Sequence, residues 1–132
     1  DAATEPWIGV NPNHVEINAA EEFDDPGSVY SFYKKLIAMR HNNATIATGE
    51  WNLVAADSEQ VYSFTRTSGD DTILVIVNLT DRTAQVPAEV AQLLEDGVGE
   101  SQVLLSTYDA AHSVKSVARG ELARWEGVVI QL

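Results

Sequence analysis

Val61-Tyr62-Ser63-Phe64-Thr65-Arg66-Thr67 and Thr72-Ile73-Leu74-Val75-Ile76-Val77-Asn78-Leu79, joined by Ser68-Gly69-Asp70-Asp71, decide the fold. In the first run Tyr62 and Phe64 point one way and Ser63 and Thr65 the other, the period-two alternation of a half-buried strand. The second run is apolar on both faces from Ile73 to Val77, which predicts a central strand covered on both sides. A polar tetrapeptide containing Gly between two such runs is hairpin chemistry. Outward from this hairpin, further strands are expected at Trp51 to Ala55, Ala84 to Val86, Gln102 to Ser106 and Trp125 to Leu132. A short helix is expected at Ala88 to Leu94, after which Gly97 and Gly99 break the chain. Short strands separated by turn signals predict a mainly β chain with an antiparallel β-sandwich of Greek-key type.

Upstream of the strands the periodicity changes. Val29, Phe32, Tyr33, Leu36, Ile37 and Arg40 recur at helical spacing, which gives one amphipathic α-helix with a strongly apolar face. Asp25 and Pro26 suit its N-cap and first position, and Asn42 and Asn43 suit its end. The opening segment follows neither period. Asn11-Pro12-Asn13 is turn chemistry, yet Trp7, Ile8, Val10, Val15 and Ile17 are too apolar for a linker. Such a segment is expected to lie against a surface. The resulting division is residues 1–24 irregular, 25–43 helical and 50–132 β.

The 132 residues fit one domain or a domain with a flanking segment. They carry 20 acidic against 8 basic side chains, a formal net charge of −12. That surface repels phosphate backbones and anionic lipid, so neither nucleic acid nor membrane is expected as a partner. There is no cysteine, which removes thiol catalysis, thiolate metal sites and disulfides together. No apolar run approaches the ~18–20 residues of a membrane span. No basic stretch followed by an apolar one opens the chain, and no Met starts it. The expectation is an internal start within a longer, cytoplasmic protein. The sequons at Asn43 and Asn78 read as chance matches, the second because it falls in a strand.

Glycoside hydrolysis needs two carboxyl groups ~5–10 Å apart across one bond. Glu16, Glu21, Glu22, Asp24, Asp25, Asp70 and Asp71 are available, but nothing around them marks out a pair. His14, His41 and His112 share no metal-ligand spacing, so no metal is expected. Ser63, Ser106 and Ser113 lack a nucleophile elbow, and Gly97 and Gly99 do not form a phosphate loop. No cofactor is expected. Trp7, Trp51 and Trp125 could stack on sugar rings. The plainer reading makes Trp51 and Trp125 core or interface residues.

Four stretches resemble a known family. They are Pro6-Trp7-Ile8-Gly9-Val10-Asn11-Pro12-Asn13-His14 with Glu16-Ile17-Asn18; Asp25-Pro26-Gly27-Ser28-Val29-Tyr30 with Phe32 to Ile37 and Met39-Arg40; Val61 to Arg66 leading to Leu74 to Thr80; and Leu104 to Asp109 with Leu122 to Val129. In order and spacing they are similar to the C-terminal part of glycoside hydrolase family 13 α-glucosidases of the oligo-1,6-glucosidase and dextran glucosidase type. The resemblance implies a (β/α)8 catalytic barrel as partner within the same protein. Residues 1–24 would be the loop after its last strand, near the mouth of the active site, and residues 25–43 its last helix. Asn11, Asn13 and His14 then become substrate-loop candidates. The family's nucleophile, acid/base and third carboxylate lie on earlier barrel strands, so no catalytic residue is expected here. The oligosaccharide substrate would be met through the parent. His14 stands where the family commonly has Tyr, which leaves the linkage open. Tails of trehalose-6-phosphate hydrolase or sucrose isomerase fit the same motifs, and a free-standing carbohydrate-binding module is a further reading. Apolar faces shaped for a missing barrel imply self-association of the isolated chain.

Overall fold

The computed structural model describes residues 6–132, so the first five residues of the 1–24 segment lie outside the described residues. The chain forms two compact units, divided between Ala38 and Met39.

In the first unit, Pro12–Val15 form a 3-10 turn and Ala19–Phe23 a short helix, α1. Asn18 begins α1 by accepting hydrogen bonds from the Ala20 and Glu21 N–H groups at 3.1 Å each, which satisfies donors that a helix start leaves free. Helix α2, Val29–Asn42, of which the residues up to Ala38 belong to this unit, begins later than its Asp25-Pro26 signal suggests. The Asp25 carboxylate closes a local turn by accepting from Gly27 N at 2.8 Å. Ser28 takes the capping role, its hydroxyl accepting from Ser31 N at 3.1 Å. Glu22 adds a carboxylate at this positive helix end, accepting from Tyr30 N at 3.0 Å. No residue of α2 is buried.

In the second unit, Asn43 caps α3 (Ala44–Thr48), accepting from Ile46 N at 3.0 Å. Seven strands follow: β1 Glu50–Val54, β2 Val61–Ser68, β3 Asp71–Asn78, β4 Ala84–Gln85, β5 Val103–Ser106, β6 Glu121–Leu122 and β7 Gly127–Gln131. Helix α4 (Ala88–Leu93) precedes β5 and α5 (Ala110–Ala118) follows it. All pairings are antiparallel, giving a five-stranded sheet in the order β1-β2-β3-β7-β5 and a two-stranded sheet β4-β6. Ser68 pairs with Asp71, which leaves Gly69 and Asp70 as a two-residue turn. Gly69 adopts φ 60°, a left-handed conformation that Gly enters without a Cβ clash.

One face of the large sheet carries Val61, Leu74, Ile76, Val128 and Ile130. Ala84, Val90 and Leu122 complete the buried cluster, so β4, β6 and α4 form the opposing layer. Burying each Leu or Ile here contributes roughly 1.5–3 kcal/mol. The inward set on β2 is Val61, Ser63 and Thr65, while Tyr62 and Phe64 face outward. Ser63 tolerates burial because it finds a partner: its Oγ donates to Val54 O at 2.7 Å. Asp71 ties α3 to the sheet, accepting from Thr45 Oγ1 and, at 2.6 Å, from Gln131 Nε2.

Candidate functional site

Asn11, Asn13 and His14 meet in one exposed turn. Asn11 organises it. Its side chain accepts from Asn13 N at 3.3 Å and its carbonyl lies 2.9 Å from His14 Nδ1. Asn18 Nδ2 donates to the His14 carbonyl at 3.0 Å, linking the turn to the cap of α1. This local bonding leaves the Asn13 side chain and the far edge of the His14 ring facing solvent. The turn could hold polar groups toward a ligand, but it contains no carboxylate to perform chemistry. Of the acidic residues of this segment, Glu22 and Asp25 are occupied structurally, as described above.

The densest polar cluster lies elsewhere, around Glu126. Its side chain is fully buried. Glu126 Oε1 accepts from Ser113 Oγ at 2.7 Å, and Oε2 accepts from Ala123 N at 2.7 Å. Since the Ser113 proton is committed to Glu126, Ser106 Oγ donates to Ser113 Oγ at 2.8 Å and in turn accepts from Tyr108 N. His112 Nε2 lies 3.7 Å from Glu126 Oε2 and 3.3 Å from Ser116 Oγ. Its ring stacks on Tyr108 with centroids 4.4 Å apart.

Ser, His and Glu together invite comparison with a hydrolytic triad. The geometry rejects it. A triad sets the carboxylate and the nucleophile on opposite ring nitrogens, whereas here both approach Nε2. Ser113 and Ser116 are also buried, with no room for an acyl group. The cluster is a structural knot that fixes the Leu122–Gly127 loop. Thr107 Oγ1 donates to Trp125 O at 3.2 Å and accepts from Gly127 N at 2.9 Å, and Tyr108 Oη donates to Arg124 O at 2.9 Å. Trp125 holds φ 55°, unusual for a bulky residue, and its N–H donates to Thr80 O.

Three grooves of the second unit hold no buried pair of carboxylates. One of about 310 Å³ is lined by Val86, Leu94, Val98 and Val117, with Glu95 as its one acid. Another, of about 280 Å³, runs beneath Leu53, Tyr62 and Leu79 and contains Glu59 alone. A third includes Asp57 and Glu89, both exposed, where water competes for each. Among the described residues no metal-holding group of His, Asp and Glu gathers, and no helix is long and apolar enough to cross a membrane. Asn78, part of the second sequon, is fully buried with its Nδ2 already donating to backbone carbonyls, so no glycan fits there. Trp7, Trp51 and Trp125 are all exposed, which removes the core reading of the latter two.

The model of the α-amylase catalytic domain matches residues 2–49. The oligo-1,6-glucosidase of Parageobacillus thermoglucosidasius is 34% identical over 131 residues, covering 96% of this chain and 22% of that protein. For the oligo-1,6-glucosidase of Halalkalibacterium halodurans the identity is 36% over 106 residues, with 79% and 18% covered. The crystal structure of trehalulose synthase MutB from Pseudomonas mesoacidophila MX-45 is similar with a TM-score of 0.76 and 34% identity, over 96% of this chain and 22% of that one. The chain thus spans about a fifth of the length of the relatives that it matches along its whole extent.

Proposed function

As a fragment homologous along almost its whole length to family 13 α-glucosidases, this chain, we propose, is the non-catalytic C-terminal region of such an enzyme. In this reading the parent hydrolyses α-glucosidic bonds of oligosaccharides with retention, in the cytoplasm, and this region stabilises its barrel. One observation carries the proposal. The catalytic-domain match stops at residue 49, one residue before β1 begins at Glu50, while homology to oligo-1,6-glucosidases continues over 96% of the chain. That order suits the end of a barrel followed by a β domain. Asn11, Asn13 and His14, exposed on their turn, would contribute polar contacts at the mouth of the barrel's catalytic centre.

The purified chain is expected not to hydrolyse p-nitrophenyl α-glucoside; appreciable turnover would reject the non-catalytic reading. Val29, Tyr33 and Ile37 lie exposed along one side of α2, and an apolar strip of that kind drives association in water. Sedimentation of the isolated chain should therefore reveal dimers or larger species, and a monomer at all concentrations would count against this role for the helix.

A second reading, the tail of a sucrose isomerase, is favoured by the likeness to trehalulose synthase. Incubating the parent with sucrose separates the two, since an isomerase yields an isomeric disaccharide and a hydrolase yields monosaccharides.

A further inference from the structure

Folding gathers an unbalanced negative charge. A net charge of magnitude about 2–8 keeps a small domain soluble, and this chain carries −12. The imbalance is steepest between Arg82 and Lys115, where Glu89, Glu95, Asp96, Glu100 and Asp109 stand without one Lys or Arg among them. Asp57 and Glu89, both exposed, line the same groove, where like charges repel. Among the described residues Glu126 is the one buried acid, so the other carboxylates keep contact with solvent. The few cations do not offset them. Within either unit, no Lys or Arg of the described residues comes within ion-pair distance of a carboxylate; the one such approach is that of His112 to Glu126. Arg40 instead donates to Ile46 O at 3.3 Å and Ala47 O at 3.4 Å, Arg66 to Gly49 O at 2.7 Å, and Lys35 to Pro26 O at 3.4 Å. Lys34 lies 5.8 Å from the centre of the Phe23 ring. These groups brace backbone and ring, and leave the acids to be neutralised from solution.

We propose that the neutralising partner is a diffuse layer of monovalent cations, and that the chain is fitted to a medium of high ionic strength. The acids are spread along the sequence, and among the described residues no three metal-holding side chains gather, in keeping with a layer over the surface and not one bound ion. The screening length falls from about 30 Å at 0.01 M salt to about 3 Å at 1 M. In dilute buffer each carboxylate therefore feels most of the others in its unit. The compact state bears that repulsion more heavily than the unfolded chain, which spaces the same charges apart. In concentrated salt each carboxylate feels its immediate neighbours alone, so the folded state gains on the unfolded one as salt is added. The argument uses this chain's own charges and stands whichever reaction the parent performs.

Thermal melting of the chain at neutral pH, followed by circular dichroism between about 0.01 M and 1 M KCl, tests the proposal. The melting temperature should rise by about ten degrees across that range, and equally in NaCl. A flat or falling curve would overturn it. A companion variant carrying Asp57→Asn, Glu59→Gln, Glu95→Gln and Glu100→Gln removes negative charge at exposed positions. Self-repulsion grows as the square of the net charge, so this variant should climb roughly half as far as the natural sequence, whatever its starting temperature. A variant that climbs as far would overturn the proposal in favour of salting-out of apolar surface. A rise complete at millimolar salt, or confined to one cation, would overturn it in favour of a specific ion site. A rise that depends on protein concentration would overturn it in favour of salt-driven association.

Discussion

Replacing Glu126 with leucine is expected to destabilise the Met39–Leu132 unit by about 3 kcal/mol, since a buried donor left without its acceptor costs about 1–3 kcal/mol. Two donors lose their acceptor together, Ser113 Oγ and Ala123 N. Leucine fills the volume but accepts no hydrogen bond. Ser106 can relax toward Ser113, which limits the loss on that side. The Ala123 N–H has no such outlet, because the same turn is closed by Glu126 N donating to Ala123 O. Glu126→Gln keeps one acceptor oxygen and should lose about 1 kcal/mol. Urea unfolding followed by far-ultraviolet circular dichroism measures both variants. A leucine variant within about half a kcal/mol of the parent sequence, the range of inert surface changes, would show that the knot is ornamental.

The second large effect is expected at Asn78. Its Nδ2 donates to Arg82 O at 2.7 Å and Ala123 O at 2.8 Å, and its Oδ1 accepts from Thr80 N at 2.9 Å and Thr80 Oγ1 at 2.8 Å. One amide therefore holds both the turn after β3 and the loop before β7. Asn78→Ala removes all of these bonds in a fully buried position and should lower stability by about 3 kcal/mol. Asn78→Asp should be at least as damaging, because a carboxylate replaces the donor that faces two carbonyl oxygens. The same denaturation experiment decides, and an aspartate variant more stable than the alanine one would contradict the assignment of donor and acceptor.

Much of the fold was legible because its main signals are local. Gly69 in a polar turn between Val61–Thr67 and Thr72–Leu79 announces the hairpin, and the structure forms β2 and β3 there. The α2 periodicity announces a helix, though Asp25 mimics a cap that Ser28 provides. Helix α5 went unread because Ser113 and Ser116 interrupt its apolar spacing. Ser113 is buried for a tertiary reason, its hydrogen bond to Glu126, which no local window contains. A signal was present in Asp109, whose side chain accepts from His112 N at 2.7 Å, and in Gly120 beyond the helix end. The alternation in β2 was legible, but not which side faces inward, since hydrophobicity ranks Tyr62 and Phe64 above Ser63 and Thr65. Asn11, Asn13 and His14 were named through family resemblance; the structure gathers them in a single turn.

Strand β7 has a temporal consequence. It pairs with β3 on one side and β5 on the other, yet it is made after every other strand of the sheet. During synthesis the β1-β2-β3 meander can assemble early, while β5 waits without a neighbour. A nonsense codon before Gly127 would therefore leave a torn sheet with bare edges, the kind of intermediate that aggregates or is degraded.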